Sequence, residues 1–406
     1  MKRKPVSRFS PSLTYLAQVG ARLAAVRRAL PALSEMGERM AGHLLAGGNI
    51  FTPPLTSWFP SEFCGRSGGL MGVRGAAYRP RNRNDVAFFA LPDPRFWKPR
   101  EDETLRQLLA SPARLFVVGS PGEWPQHWRR RVAGFTGGAS VEQGAYALAN
   151  LRPLVSLRSF EQFVRLWIVT GELIAACIRA GRMPILWMSV WLEGAMVRNA
   201  SFCDQDNLRE PWLTPLFHQR RYIPPLAPGD AGRAFLAELA MIHGRLVRQA
   251  SGLAQAGQWM AQAHHSGAHI HAVAVGHSFP AILELQHIPD YPIQWGKSVS
   301  DLRLAVPAAV RRHDVALHLG YAPVDVADVA AILRRGVKFI YTTPYGRPAT
   351  LADHPGLLWL DLPWRPTDAT VDIPGYGVRM LPMSSSAQAM CYHALLAEFA
   401  QRMGWH

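Results

Sequence analysis

Lysine is nearly missing from this 406-residue sequence. It occurs five times, at Lys2, Lys4, Lys98, Lys297 and Lys338, so almost all of the formal net charge of +15 comes from arginine. The arginines are spread along the chain, and the densest basic clusters are short: Met1–Lys4, Arg79–Arg83, Arg129–Arg131 and Arg220–Arg221. No long basic arm, zinc knuckle or aromatic RNA-binding pattern accompanies them. Nucleic acid is therefore not the expected partner, because such proteins gather their charge on one face or tail. A basic field of this size still raises the local concentration of small anions. Cysteine is scarce as well. Cys64, Cys177, Cys203 and Cys391 are the whole set, and no two stand at metal-ligand spacing. They read as buried, reduced thiols, which excludes a disulfide framework and a zinc site. The histidines at 264, 265, 269 and 271 lack a carboxylate or thiol partner at ligand spacing, so no metal is expected there either. A long uncharged apolar run is also absent. The most apolar stretch, Leu166 to Val197, is interrupted by Glu172, Arg179, Arg182 and Glu193, which excludes a spanning segment of ~20 residues. Met1-Lys-Arg-Lys-Pro5 is followed by no apolar h-region, since Arg22, Arg27 and Arg28 break Tyr15–Leu33. The expectation is a cytoplasmic protein without a secretory signal or a membrane partner.

What is present describes a packed globular chain. Hydrophobic residues make up 49% and charged residues 18%, and the length suits two domains of ordinary size. Leu16, Val19, Leu23, Val26, Leu30 and Leu33 recur near the helical period and predict a helix over Leu13–Leu45, divided at Pro31. Short apolar strands are predicted at Asn49–Thr52, Asp85–Leu91, Arg114–Gly119, His269–Gly276, Asp314–Gly320 and Val337–Thr343, with a further one at Leu357–Asp361. Helices are predicted between them from Ser61, over Glu101–Leu109, Trp124–Val132, Ser156–Arg179 and Asp325–Arg335, and over Ser384–Met403 at the end. A long helix is also expected from Asp230 through Leu253. Strands alternating with helices at this spacing imply a mostly parallel sheet covered on both faces. The fold class is therefore α/β, as two doubly wound parallel-sheet domains in tandem. The first covers residues 1–203, a proline-rich connector 204–229, and the second 230–406. The halves rhyme: each has a long helix, a strand, a loop with serine and a glutamate shortly after (Ser57 and Glu62; Ser278 and Glu284). Each also ends on a helix with a similar string, Gly171-Glu-Leu-Ile against Ala397-Glu-Phe-Ala. A period near half the chain points to duplication.

Three segments carry a resemblance to a known family. Gly48-Asn-Ile-Phe, Thr56-Ser57 and Glu62-Phe-Cys-Gly-Arg-Ser-Gly-Gly69 resemble the first strand, loop and helix of sugar isomerase (SIS) proteins related to muramic-acid-phosphate etherases. Val275-Gly-His-Ser278 resembles the family's Gly-His-Ser loop. Val371-Asp-Ile-Pro, followed by Leu381-Pro-Met-Ser-Ser-Ser386, resembles its last strand and the start of its final helix. The resemblance implies phosphosugar binding, aldose-ketose isomerisation as an activity, no cofactor, and assembly into a homo-oligomer such as a homodimer. It departs from the family where a second serine-rich loop belongs. Ala90-Leu-Pro-Asp-Pro94 and Leu319-Gly-Tyr-Ala-Pro323 stand there without hydroxyls, and Asp93 would repel a phosphate.

The residues that such a site would use follow from the chemistry of an anion. Hydroxyls and backbone N–H groups at a helix start hold phosphate without charge, which singles out Thr56, Ser57, Ser278, Ser384, Ser385 and Ser386 for substrate binding. Proton transfer between neighbouring sugar carbons needs a carboxylate or imidazole, which singles out Glu62 and His277 as catalytic candidates. Each has a plainer alternative: the serine triplet as a helix cap, Glu62 paired with Arg66, His277 as a hydrogen-bonded loop residue. Two functions from different classes remain. One is a sugar-phosphate isomerase. The other is a catalytically degenerate SIS pair that senses a sugar phosphate or serves as a dimerising scaffold.

Overall fold

A computed structural model describes residues 10–55, 58–90, 99–124, 126–138, 157–203, 215–274, 293–295, 310–320, 325–351 and 354–404. Two parallel sheets lie in tandem. In the first half, β1 (Ile50–Phe51), β2 (Val86–Ala90), β3 (Arg114–Val118) and β4 (Val132–Phe135) run in that order, every pair parallel. In the second, β5 (Ile270–Ala274), β6 (Ile293–Trp295), β7 (Val315–Leu319), β8 (Lys338–Thr343) and β9 (Leu357–Asp361) are ordered β6-β5-β7-β8-β9, again all parallel. The short antiparallel hairpin of β10 (Ala369–Val371) and β11 (Met380–Pro382) follows. The fold is the tandem parallel α/β architecture that the sequence implied. The strands are buried through both faces, as β2 and β7 illustrate, and this is why they read as continuous apolar runs.

The helices are α1 (Pro11–Leu45), α2 (Trp58–Phe63), α3 (Pro99–Ala110), α4 (Gln126–Arg129), α5 (Arg158–Arg179), α6 (Ala195–Ala200), α7 (Asp230–Arg248), α8 (Ala250–His265), α9 (Val326–Arg334) and α10 (Ser384–Arg402). None of them is long and apolar enough to cross a membrane, among the described residues. Helix α10 is buried from Ser384 to Ala400 and α5 is buried over most of its length. Helix α1 packs on both of them and on α7, so one apolar cluster runs from Tyr15 to Ala400 through both halves.

Several expectations are corrected. Pro31 does not divide α1, which continues through it. Burial of Val26, Leu30, Leu33 and Met36 along one stripe outweighs the single backbone hydrogen bond that proline removes. Ser61 lies inside α2, which starts at Trp58, and so does not cap it. Helix is confined to Gln126–Arg129 where Trp124–Val132 was expected, and Val132 begins a strand. Helix α7 stops at Arg248 and α8 takes over after Gln249, whose φ of -98 and ψ of 17 leave the helical region. After α5, isolated bridges join Leu70 to Leu186 and Pro184 to Phe217.

The halves repeat in detail. Helices α1 and α8 end alike, with Gly47 at φ 87 and Gly267 at φ 73, the left-handed conformation that glycine adopts without penalty. The carboxylate just before β2, Asp85, accepts the N–H of Asn49 at 2.9 Å, and its counterpart before β7, Asp314, accepts that of His269 at 2.9 Å. Each carboxylate is held below its ordinary pKa by such backbone donors, against the opposing effect of burial. At the helix crossings, Gly37 of α1 lies on Glu172 of α5 and Gly257 of α8 lies on Glu398 of α10, with no room for a Cβ in either place.

Candidate functional site

The serine triplet begins α10, and the chain reaches it through an unusual turn. Asp368 sits just before β10 at φ 64 and Leu381 within β11 at φ 68, left-handed values that side chains rarely adopt. Something must hold them there. For Asp368 it is its carboxylate, whose Oδ1 accepts the N–H of Ser384 at 2.8 Å and of Met383 at 3.2 Å. For Leu381 it is a bond from its N–H to the Gly68 carbonyl at 3.2 Å. Gly68 has no space for a side chain, since a Cβ would lie 2.7 Å from that of Ala369.

Across from the triplet stands α2 of the other half. Glu62 and Ser385, 323 residues apart, meet directly: the Ser385 hydroxyl donates to Oε2 at 2.7 Å. Trp167 Nε1–H donates to Glu62 Oε1 at 2.7 Å, and Arg66 Nη1 donates to Oε2 at 3.2 Å. The other end of the Arg66 guanidinium, Nη2, bonds Asp368 Oδ2 and the Ser384 hydroxyl oxygen, each at 2.8 Å. Every member is buried; Glu62 is 0% and Arg66 1% exposed. Burial pushes the Glu62 carboxyl above its ordinary range, opposed by the charge of Arg66 and the hydrogen bonds from Ser385 and Trp167. The nearby Asp368 carboxylate pushes it the same way as burial does.

The structure thus joins Glu62, Ser384 and Ser385 in one network. Ser386 differs from its neighbours. Its hydroxyl is buried and has no hydrogen-bond partner among the described residues. Two residues on, the Gln388 amide donates to the Gly320 carbonyl at 3.1 Å, which seats the first turn of α10 against the carboxyl end of β7. Strand β5 is in register with β7 there, Ala274 opposite Leu319. Thr56, Ser57, His277, Ser278 and Glu284 lie outside the described residues, as do Asp93 and most of residues 90–94 and 319–323.

Solved structures similar to this chain include three proteins. One is "Putative sugar binding protein" from Salmonella typhimurium LT2, at 11% identity and a TM-score of 0.45, covering 93% of this chain and 98% of its own. A "putative phosphosugar isomerase" from Clostridium difficile 630 shares 8% identity at a TM-score of 0.41, over 94% of this chain and 92% of its own. Another "putative phosphosugar isomerase", from Silicibacter pomeroyi DSS-3, shares 11% at a TM-score of 0.44, over 98% and 99%. No family model matches the sequence, and no curated protein does.

Sequence reasoning missed two parts of the network and two related glutamates elsewhere. Asp368 precedes the helix it caps by a whole hairpin, so no local capping pattern announces it. Trp167 lies in an apolar helix where an indole reads as core. Glu172 and Glu398, the repeated glutamates of the closing helices, each bind the start of another helix. Glu172 accepts the N–H of Gly229 at 2.7 Å and of Gly232 at 2.9 Å at the head of α7; Glu398 accepts Ser12 N–H at 3.1 Å at the head of α1. The repeated Gly171-Glu and Ala397-Glu strings were the available signal.

Proposed function

We propose that this chain is a phosphosugar-binding protein of the SIS type, with its ligand at the carboxyl ends of β5 and β7, and that it holds the ligand without isomerising it. The observation that carries the binding reading is at the head of α10: the buried Ser386 hydroxyl has no hydrogen-bond partner among the described residues, and two residues on Gln388 bonds the Gly320 carbonyl at the end of β7. Leaving such a hydroxyl unmade costs about 1–3 kcal/mol, and a ligand hydroxyl or phosphate oxygen would satisfy it. The phosphate itself belongs to the Gly276-His277-Ser278 segment in this reading. Asp368 already takes the N–H groups of Met383 and Ser384, and a second anion there would face a fixed carboxylate. The division into units at 1–203 and 230–406, and assembly into a homo-oligomer, belong to the same proposal.

Turnover is not favoured because Glu62 is fully committed. Both of its oxygens accept bonds from protein donors, and none of its surface is exposed. A general base must come within hydrogen-bond reach of the proton it moves. One observation keeps the isomerase reading alive: burial raises the Glu62 carboxyl toward the range where proton transfer is efficient.

A thermal-shift screen with hexose and pentose phosphates and their unphosphorylated forms tests the proposal, since a ligand raises the melting temperature by mass action. A rise with phosphorylated sugars, lost in Ser278→Ala and reduced in Ser386→Ala, is expected. No rise with any sugar phosphate would favour the scaffold. Conversion of a bound ligand to its isomer, abolished by Glu62→Gln, would reinstate the isomerase.

A further inference from the structure

A cavity lies beside the Arg66–Asp368 pair, where the hairpin of the second half meets the segment after α5. It has a volume of about 260 Å³ and its wall includes Ser67, Ser189, Thr367, Asp372, Tyr376 and Arg379. Ser67 and Thr367 are the sequence neighbours of Arg66 and Asp368, so the cavity is fixed to the buried network by two peptide bonds.

The side chains of this wall are rich in oxygen acceptors. The Ser67 hydroxyl donates to the Thr367 carbonyl at 2.9 Å, and the Thr367 hydroxyl donates to the Ala369 carbonyl at 3.0 Å. A hydroxyl whose proton is committed can only accept. Asp372, an acceptor by nature, is held at the rim by Arg379 Nε at 2.6 Å and keeps further lone pairs. Ser189 is 3% exposed, and its hydroxyl has no partner among the described residues. The cavity therefore offers several oxygen acceptors, the remaining donors of Arg379 and one buried hydroxyl able to act in either sense, while the Tyr376 hydroxyl is already held by Arg198 and His218. The carboxylate speaks against a phosphate, and the Asp372–Arg379 pair leaves little net charge to attract an ion.

We infer that this cavity binds a neutral, hydroxyl-rich molecule of about monosaccharide size, such as a free sugar or a cyclic polyol. Such a ligand donates several hydrogen bonds and carries no charge. A space that size matches one sugar ring, at the small end of ligand pockets. The inference is independent of the phosphosugar site, which lies at the strand ends and is defined by other residues.

Saturation-transfer NMR on the full chain tests it, with D-glucose, N-acetylglucosamine and myo-inositol as probes. Two variants decide where transfer arises. Gly377 lines the cavity, is exposed, and a Cβ built on it meets nothing within 4 Å, so Gly377→Trp fills the mouth without disturbing the fold. Ser189→Ala removes the unpartnered hydroxyl and leaves the packing. Saturable transfer to at least one probe is expected, lost in Gly377→Trp and weakened several-fold in Ser189→Ala. Absence of transfer to all three probes overturns the inference. So does transfer that is undiminished in either variant, even if sugar phosphates bind elsewhere.

Discussion

Arg66 is the residue on which the junction of the halves depends. It is the cation between two buried carboxylates, Glu62 and Asp368, one from each half. Removing one partner of a buried ion pair leaves an uncompensated charge and costs about 3–5 kcal/mol. Arg66→Leu is expected to lower stability by that order, read from urea unfolding. Glu62→Gln keeps an acceptor for Trp167 and Ser385 and should cost about 1–2 kcal/mol. Equal losses in the two variants would deny Arg66 its central place. A second residue gives the molecule a pH dependence. His318 is buried at the end of β7 and lies stacked on Tyr341, ring centroids 4.6 Å apart; burial pushes its pKa from 6.5 down to about 3. The unfolded chain takes up a proton below pH 6.5 that the folded chain refuses until about pH 3. Stability from this group is thus present above pH 6.5 and lost progressively as pH falls toward 3. His318→Phe should flatten that part of a stability-against-pH curve; an unchanged slope would contradict the assignment. Glu62 and the serine triplet were legible as polar residues beside predicted helix starts. Their meeting across 323 residues, and the part of Asp368, depend on tertiary placement that no local pattern encodes.

Among the elements, the helix crossings are the tightest points. A Cβ at Gly257 would stand 2.5 Å from Glu398 Cβ and 2.8 Å from its carbonyl carbon, against helix backbone that cannot yield. Gly257→Val should destabilise by about 1–3 kcal/mol through overpacking, with Glu398 and the head of α1 disturbed together. Gly42, within α1, meets nothing within 4 Å. Gly42→Ala is expected to stabilise by up to ~1 kcal/mol, as helix propensity alone dictates. Urea midpoints moving the same way for both would show that space is not the deciding factor. Elements were legible in the sequence where one period dominated. The buried strands β2, β3, β5, β7 and β8 stand out as apolar runs, whereas β4 and β6 are short and half-buried or partly exposed. The break at Gln249 was hidden because Leu246 and Leu253 keep the apolar stripe going across it.

For the whole molecule, duplication explains more than either half does alone. Paired carboxylates before β2 and β7, paired glycine helix ends and paired glutamates in the closing helices give two similar scaffolds. The network around Arg66 then couples them asymmetrically. It uses α2 of the first half and the head of α10 of the second, so what begins as a repeat ends with one specialised junction. Alternation of strands and helices made the tandem α/β plan legible. The continuous core from Tyr15 to Ala400 was not, because periodicity shows which face of a helix is apolar and not what covers it. The central claim is that the protein binds a sugar phosphate beside that junction and releases it unchanged. Calorimetric titration of the full chain with hexose phosphates, followed by NMR of the recovered ligand, tests it most directly. The expected result is saturable binding, at least tenfold weaker for the same sugar without phosphate, with the ligand recovered unaltered. Absence of heat with every phosphorylated sugar, or recovery of an isomerised product, would contradict it.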